Sequence, residues 1–226
     1  CFEGIEMKII GLTGGIATGK SSVLKMFRKL GAKTIDADEI VRKLYSKESV
    51  KEMLAFNFGG NAISGNGNVD RKFLAKKIFS DRKSRLLLNA LVHPLVNAEI
   101  RKRIDTFRKE AARKAGGKSK SKKGAAKKST RKKIKNKSLL VVEVPLLYES
   151  GNQKMYDKVV VVGSTRKKQI ERMGKQGVVR KDAEKRLAAQ MSIGKKIKKA
   201  DFVIYNNAGR KELETGVKKV FEELVF

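Results

Sequence analysis

Short apolar runs alternate with stretches of helical periodicity along most of the chain. Five runs of strand length predict buried strands, at residues 8–12, 32–35, 139–142, 158–162 and 202–204. Strands that alternate with helices imply right-handed crossovers and a parallel sheet with helices on both faces. The pattern therefore predicts an α/β fold of three layers, with no internal repeat.

Apolar residues at helical spacing predict the segments between the strands. The predicted helices span residues 20–29, 39–45, 50–58, 71–79, 84–92, 95–110, 165–173, 180–191 and 211–224. His93 and Pro94 separate the fifth helix from the sixth, because proline lacks the N–H that a helix interior needs. Residues 59–67 are rich in Gly and Asn, which predicts a loop.

The length and the cysteine content narrow the class of protein. A chain of 226 residues fits one domain with a small lid or subdomain. The single cysteine, Cys1, excludes a disulfide framework and a cysteine-built zinc site, and it fits a cytoplasmic location. We expect no signal peptide and no membrane span. Residues 1–6 precede a start-like Met7, so the predicted domain is 7–226.

The positive charge is larger than one phosphorylated ligand requires. The formal net charge is +31, and residues 111–137 hold 13 Lys and Arg residues and no acid. Such a segment buries too little apolar surface to offset its ordering entropy, so we expect an insertion that is a mobile arm or an extended helix. It could contact nucleic acid or another polyanion non-specifically. It could equally be a solvated insertion, since aromatic residues that stack on bases are missing.

Residues 14–21, GGIATGKS, form a complete G-x-x-x-x-G-K-[ST] phosphate loop between a predicted strand and a predicted helix. The amides of such a loop close around phosphate oxygens, and the dipole of the following helix favours the same charge. Lys20 is predicted to reach the outer phosphates and Ser21 to bind Mg²⁺. The predicted nucleotide-binding residues are Gly14, Gly15, Ile16, Ala17, Thr18, Gly19, Lys20, Ser21 and Ser22. The motif predicts binding of a nucleoside triphosphate.

Carboxylates follow two of the predicted strands. Glu143 ends the run at 139–142, a position where nucleotide-binding folds hold a water on Mg²⁺, although many buried strands end in an acid. Asp36 and Asp38 follow the run at 32–35, and a hydroxyl that accepts a phosphoryl group needs a carboxylate within hydrogen-bond reach. One aspartate could face the phosphates while the other caps the next helix, and a purely capping role for both is equally compatible with the sequence.

An apolar turn, Val144-Pro145-Leu146-Leu147-Tyr148-Glu149, continues from Glu143. It comes just past the carboxyl end of a strand, which is where open α/β sheets bind their ligands. A packed loop without a ligand is the alternative interpretation.

These segments together resemble the dephospho-coenzyme A kinase family. The resemblance runs from Met7 to the C-terminus apart from the basic segment, and its landmarks come in the family's order. They are residues 10–16 with Lys20 and Ser21, residues 35–38, residues 89–95 around His93, residues 144–149, residues 186–190 and residues 200–207. The resemblance implies a P-loop nucleotide kinase fold with a helical acceptor-binding region at 39–110 and a lid at 164–199.

The resemblance also implies an activity, the transfer of the ATP γ-phosphoryl group to the 3′-hydroxyl of dephospho-coenzyme A. Asp38 would be the base, with Asp36 as the second choice. Lys20 and Mg²⁺, the latter held by Ser21 and, through water, by Glu143, would neutralise the transferring charge. Lid cations and a residue near the adenine would complete the ATP site: Arg172, Arg186 and Asn206. The implied acceptor-binding residues are Asp38, His93, Pro145, Leu146, Leu147 and Glu149, and His93 could equally be a structural corner beside Pro94.

Three positions depart from the family's pattern, and the basic segment has no counterpart in it. Ala17 stands where glycine is usual, and we expect its φ to be negative because a side chain disfavours positive φ. Lys175 stands one residue before the usual second lid arginine, and a lysine is a point charge rather than a planar fork. Tyr205 replaces an acid before Asn206.

Two functions of other kinds stay open on the sequence. One is another small-molecule kinase with a phosphate loop, such as a nucleoside monophosphate kinase, although the segments 36–38 and 144–149 argue against it. The other is a nucleic-acid-binding protein that uses ATP, which the charge alone indicates. The sequence contains no helicase-type motif set and no Asn-Lys-x-Asp motif.

Overall fold

The computed structural model describes residues 6–116 and 137–225, and its centre is a parallel sheet. The strands are β1 (Glu6–Gly14), β2 (Lys33–Asp36), β3 (Lys137–Glu143), β4 (Lys158–Gly163) and β5 (Phe202–Tyr205). Within the described residues they form one sheet in the order β2-β3-β1-β4-β5, with every pair parallel. The prediction of a parallel α/β sheet is confirmed.

Helices cover both faces of this sheet. They are α1 (Lys20–Lys29), α2 (Ala37–Leu44), α3 (Glu48–Phe58), α4 (Arg71–Ser80), α5 (Arg82–Gly116), α6 (Arg166–Gly174), α7 (Arg180–Ala188), α8 (Ile193–Ile197) and α9 (Arg210–Val225). Two short 3₁₀ turns, Gly60–Ala62 and Asn152–Met155, lie between them. No helix in the described part of the chain combines the length and apolar character that a bilayer span requires.

The central strands bury their side chains on both faces, which explains their continuous apolar runs. In β4, Val160 and Val162 pack into a core with α1 and α9, whereas Val159 and Val161 pack into a second core with α2 to α5. Burying one such side chain contributes about 1.5–3 kcal/mol. The two cores hold the sheet rigid between the helical layers.

The pairing of the strands brings three chain segments to one edge of the sheet. Glu143 at the end of β3 pairs with Leu12 of β1 on one side and with Asp36 of β2 on the other. The phosphate loop leaves β1 at Gly14, two residues beyond this row. The loop and the predicted carboxylates therefore meet at the carboxyl edge, where ligands of such sheets bind.

Helix α5 runs through Pro94 for 35 residues, so the predicted break at His93 and Pro94 is wrong. The proline removes one hydrogen bond of the helix, and its ring lies on the exposed side. Buried apolar residues continue along the other side at three- to four-residue spacing: Leu88, Val92, Val96, Ile100, Ile104, Phe107 and Ala111. Packing of this stripe outweighs the local preference for a break.

The end of α7 also differs from the prediction. The helix ends at Ala188 rather than at Met191, and the separate short helix α8 follows. The Ser192 hydroxyl caps α8 by accepting a bond of 3.4 Å from the Lys195 N–H. The lysine-rich sequence of α8 has too weak an apolar period to predict it.

Both ends of the predicted basic insertion, residues 111–137, belong to described elements. Residues 111–116 belong to α5, where Ala111 is buried, and Lys137 belongs to β3. The remaining predicted insertion, residues 117–136, lies outside the described residues.

Candidate active site at the carboxyl edge of the sheet

The phosphate loop connects β1 to α1 through a tight turn at Gly19. This residue is the N-cap of α1 and has a φ of 93°. Its carbonyl accepts the first helical bonds, from the N–H groups of Ser22 and Val23 at 3.1 Å each. A side chain at Gly19 would collide with the Asn206 amide. The positive φ and the close approach both require glycine here.

Ala17 adopts a φ of 55°, which contradicts the expected negative value. It is the only residue other than glycine with positive φ in residues 6–116 and 137–225. The left-handed region costs a residue with a Cβ about 1–2 kcal/mol. The surrounding contacts maintain it, since the Ala17 carbonyl accepts a bond of 3.1 Å from Arg172 Nη1.

Three successive carbonyls of the loop are held by side chains from α6 and from the turn after β5. Gln169 Nε2 donates to Ile16 O at 2.6 Å, Arg172 Nη1 to Ala17 O at 3.1 Å, and Asn206 Nδ2 to Thr18 O at 2.8 Å. These bonds fix the loop's conformation from outside. The loop is therefore preorganised for phosphate by its neighbours as well as by its own glycines.

Arg172 and Asn206 lie beside the phosphate loop, as predicted for ATP ligands, but they bind protein carbonyls. Arg172 Nη2 donates to the Asn206 carbonyl at 2.8 Å, and its Nη1 also lies 3.3 Å from the Ser164 hydroxyl. The resemblance predicted that both residues lie near the nucleotide site, and they lie beside the phosphate loop. The sequence did not indicate that their side chains bind carbonyl groups of the protein. Direct contact of either side chain with ATP stays a prediction.

Lys20 lies in the floor of the loop and is only 9% exposed. Its Nζ donates to the Gly15 carbonyl at 2.8 Å. Burial lowers the pKa of Lys20 below its usual 10.5, while the nearby Glu143 and Asp38 oppose that shift. The ammonium group is thus placed at the loop with two carboxylates near it.

Ser21 and Glu143, the predicted magnesium ligands, lie in contact. The Ser21 hydroxyl donates to Glu143 Oε1 at 3.3 Å. Glu143 is 3% exposed, and its Oε2 has no hydrogen-bond partner. Burial raises the pKa of Glu143 to about 7, with Lys20 opposing. A buried carboxylate oxygen without a partner beside a hydroxyl provides the hard oxygen ligands that Mg²⁺ takes, so these residues fit that ion.

Asp36 and Asp38 have separate surroundings. Asp36 Oδ1 caps α2 by accepting from the N–H groups of Asp38 at 2.8 Å and Glu39 at 3.2 Å. Asp38 instead lines a cavity of about 290 Å³. Desolvation by the cavity walls raises the pKa of the Asp38 carboxyl above 3.8, and Asp36 adds to the shift. The capping role falls to Asp36, which leaves the Asp38 carboxylate for a ligand.

The cavity beside Asp38 lies between α2, α5 and the turn after β3. Its lining is mostly apolar, with a few polar groups: Ala37, Asp38, Val41, Tyr45, Ile78, Leu88, Asn89, Val92, His93, Val96, Asn97, Val144, Pro145, Leu146 and Ser150. Such a surface suits an acceptor with an apolar body and a few polar atoms. Burial lowers the pKa of His93 below 6.5, with Glu149 opposing, so a neutral imidazole faces the cavity near pH 7.

Not every predicted acceptor residue lines this cavity. Pro145 and Leu146 do, whereas Leu147 is 0% exposed and packs in the core next to Gly11. This favours the packing interpretation for Leu147. The Glu149 carboxylate binds Lys196 Nζ at 2.9 Å and the Met191 N–H at 3.0 Å. Glu149 is therefore engaged by the chain itself.

Among Gln190, Arg186 and Lys175 of the predicted lid, only Gln190 contacts the phosphate loop. The Ile16 N–H donates to Gln190 Oε1 at 3.1 Å. The Arg186 guanidinium lies 4.8 Å from the centre of the Phe79 ring of α4, and its Nε is buried without a hydrogen-bond partner. Lys175 is exposed and pairs with Glu171 at 3.4 Å. Of these cations, Arg186 has the donor that a phosphate could use.

Sequence reasoning missed Gln169 and Lys196. Gln169 is a single glutamine in a charged helix, and Lys196 is one of four lysines in residues 195–199. Nothing in the pattern marks either one as buried. Gln190 belongs to the segment 186–190 that resembles the family, but no role was predicted for it.

A phosphate loop at the carboxyl edge of a parallel sheet, with a cavity beside Asp38 and side chains of residues 164–199 in contact with the loop, is the architecture of a P-loop kinase. The dephospho-CoA kinase family matches residues 8–113 and 124–212. The chain belongs to this family, and it is accordingly an ATP-dependent phosphotransferase.

Individual relatives agree over nearly the full length. The dephospho-CoA kinase of Fusobacterium nucleatum is 34% identical over 97% of this chain and 100% of the relative, and that of Aquifex aeolicus is 36% identical over 96% and 98%. A solved dephospho-CoA kinase from Campylobacter jejuni has a TM-score of 0.62 at 25% identity over 97% and 98% of the two chains. A Thermus thermophilus structure reaches a TM-score of 0.70 at 27% identity over the same shares.

The family match corrects one expectation. Between residues 8 and 212 it is interrupted at 114–123 and resumes at Gly124. We expected no family counterpart for residues 111–137, and this expectation is wrong for residues 111–113 and 124–137, which the family match includes.

Proposed function

We propose that this protein transfers the γ-phosphoryl group of ATP to the 3′-hydroxyl of dephospho-coenzyme A. The observation that carries the proposal is the position of Asp38, which lines an apolar cavity and is close enough to Lys20 for their charges to shift each other's pKa. In this proposal, a hydroxyl held in the cavity lies between the Asp38 carboxylate and the phosphate loop. Family membership and the named relatives support the identity of the acceptor.

The proposed roles follow from the surroundings of each residue. Asp38 orients the acceptor hydroxyl and accepts its proton, because its carboxylate is not used as a helix cap. Lys20 and the loop amides bind the phosphates and stabilise the charge that spreads over the γ-phosphoryl oxygens. Arg186, whose Nε has no partner in the protein, is assigned to those oxygens, and His93, Pro145 and Leu146 are assigned to the acceptor.

Ser21 and Glu143 are proposed to hold Mg²⁺ together with phosphate oxygens and water. When bound, the ion supplies positive charge that neutralises the phosphate oxygens during transfer. A cytoplasmic location belongs to the same proposal.

ADP release measured with a coupled assay tests the activity. Turnover should require dephospho-coenzyme A and Mg²⁺, and EDTA should abolish it until Mg²⁺ is restored. Lys20→Ala should weaken ATP binding and rate together, because its ammonium contacts the phosphates. AMP and adenosine are the comparison acceptors. Equal turnover with AMP would refute the assignment and favour a nucleoside monophosphate kinase.

A further inference from the structure

Lys196 in α8 is a buried charge that the proposed chemistry leaves unused. Its side chain is 0% exposed, and no other charged residue in the described part of the chain is buried so completely. Burial lowers the pKa of Lys196, while its hydrogen bond to Glu149 raises it. Transfer of an ammonium group from water to the protein interior is unfavourable. Replacing a buried ion pair by apolar residues of similar size often leaves the stability unchanged or increases it. Stability alone therefore does not explain the buried ammonium group of Lys196, and its hydrogen-bond partners indicate what it does.

Both contacts of Lys196 fall on residues 145–149, called here the acceptor turn. Lys196 Nζ donates to the Pro145 carbonyl at 3.0 Å and binds Glu149 Oε1 at 2.9 Å. The Thr13 hydroxyl, at the end of β1, donates to the same Pro145 carbonyl at 3.2 Å. The start of the acceptor turn is thus held by two donors, and its far end by the ion pair.

The acceptor turn forms one wall of the cavity that Asp38 lines. Pro145 and Leu146 contribute to that wall, and Val144, which also lines it, connects them to the buried Glu143. A shift of this wall would move a bound acceptor relative to Asp38 and the phosphate loop. Displacements of about 1 Å in such sites can lower rates about 100-fold.

The Glu149 carboxylate also binds the segment that connects α7 to α8. Glu149 Oε1 accepts the Met191 N–H at 3.0 Å, and the preceding residue, Gln190, binds the Ile16 N–H. Lys196 therefore neutralises a carboxylate that joins the acceptor turn to the chain segment above the phosphate loop. An apolar residue at 196 would leave Glu149 without a partner on α8.

We propose that Lys196 is a positioning residue that holds the acceptor turn at the distance from Asp38 that phosphoryl transfer requires. It acts through Pro145 and Glu149 and touches neither the nucleotide nor the acceptor. The proposal rests on the proposed function, since it assigns the cavity to the phosphoryl acceptor.

Kinetics of Lys196→Met test this role. Methionine has nearly the length of lysine, and Glu149 keeps 21% side-chain exposure, so water can solvate its freed carboxylate. We expect kcat/KM for dephospho-coenzyme A to fall about 10- to 100-fold, while the Kd for ATP changes less than about 3-fold. Lys195→Met is the matched control, because Lys195 is the exposed neighbour on the same helix. It should keep wild-type constants.

A double variant, Lys196→Met with Glu149→Leu, separates positioning from stability. Replacing both ions by apolar residues should keep a melting temperature near the wild-type value. We expect kcat/KM for the acceptor to stay low, because the Pro145 carbonyl keeps only the Thr13 hydroxyl of its two donors and the Met191 N–H loses its acceptor. Recovery of full activity in the double variant, or its failure to fold, would assign the pair to stability alone and overturn the proposal.

Two further outcomes are distinguishable. Equal constants for Lys196→Met and Lys195→Met would overturn the role of Lys196 and leave the proposed function intact. A parallel loss of ATP affinity would show that the charge acts on the phosphate loop and would also overturn it. A wild-type enzyme without turnover on dephospho-coenzyme A would contradict the proposed function itself.

Discussion

Asp36 and Asp38 show how two identical residues, separated by one position, come to serve different purposes. Asp36 ends β2 and turns its carboxylate onto the first amides of α2, while Asp38 lies in the first turn of that helix and lines the cavity. The sequence alone was equally compatible with a capping role for both, and only the family resemblance indicated Asp38 as the base. The side-chain hydrogen bonds of Asp36 assign the cap to that residue.

Asp38→Asn should cut kcat by roughly 10²–10⁴ and leave the Kd for ATP nearly unchanged, because asparagine keeps the shape but cannot accept the proton. Asp36→Asn should be mild, since asparagine caps helices about as well as aspartate does. Steady-state kinetics and nucleotide titration on both variants check this. A crippled Asp36→Asn beside a mild Asp38→Asn would reverse the assignment.

The pH dependence offers a second check on Asp38. Desolvation raises the pKa of its carboxyl, and the Asp36 charge raises it further. Since the base works only when ionised, kcat/KM for the acceptor should fall as pH drops through this raised pKa. Asp36→Asn removes a negative charge next to Asp38, which lowers the pKa of Asp38. The acidic limb of the pH profile of kcat/KM should therefore move to lower pH in this variant. A limb that moves upward, or does not move, would argue against Asp38 as the titrating base.

Ala17→Gly should stabilise the protein by about 0.5–1 kcal/mol. Glycine relieves the Cβ strain at φ 55°, and its greater freedom in the unfolded chain offsets part of that gain. Thermal unfolding measures the change. Thr18→Gly is the comparison, because Thr18 lacks positive φ and loses its hydroxyl bond to Gly15 O. It should destabilise. A destabilised Ala17→Gly would show that the methyl group makes contacts worth more than the strain.

At the level of elements, patterns with a strong period were predictable and those set by tertiary packing were not. The strands and α1 were predicted to within a few residues, because apolar runs and a phosphate loop mark them. Pro94 misled the prediction for α5, since the buried stripe from Leu88 to Ala111 is spread over 24 residues. Helix α8 and its buried Lys196 went unpredicted because burial of a lysine depends on a partner distant in sequence, Glu149.

Pro94→Ala should raise the stability of α5, by about 1 kcal/mol. Alanine restores the missing hydrogen bond and favours the helix, while the greater freedom of the unfolded chain removes part of the benefit. Arg101→Ala, at another exposed position of α5, should change the free energy of unfolding little. Chemical denaturation compares the two. A loss of stability in Pro94→Ala would mean that the proline ring sets a bend on which packing depends.

At the level of the whole molecule, the alternation of strands and helices predicted the parallel sheet, whereas the sequence did not reveal the purpose of the positive charge. A net charge of +31 exceeds what the active site uses, and ten of the basic residues lie in 117–136. Charge of this size acts at long range and attracts polyanions whatever their sequence. Composition alone therefore predicts binding but not its biological partner.

The intact chain should bind DNA or RNA non-specifically, with log K falling linearly as log salt rises. Replacing the ten Lys and Arg residues of 117–136 by Gln lowers the net charge from +31 to +21, so the slope should shrink without vanishing. A variant with the residues of 117–136 in permuted order should bind like wild type, because counterion release depends on charge. Filter binding at several salt concentrations measures the slopes. An unchanged slope in the Gln variant would remove any binding role for this segment.

The contact between Gly15 and Gln169 restricts the order in which this site can change over generations. A methyl group on Gly15 would lie 2.6 Å from Gln169 Nε2, the same nitrogen that donates to the Ile16 carbonyl. Gln169 is 3% exposed, and moving its amide away to make room would break its bond to the Ile16 carbonyl. We therefore expect a side chain at position 15 to be tolerated best where residue 169 is shorter than glutamine. Positions 15 and 169, although far apart in the chain, should therefore be substituted together.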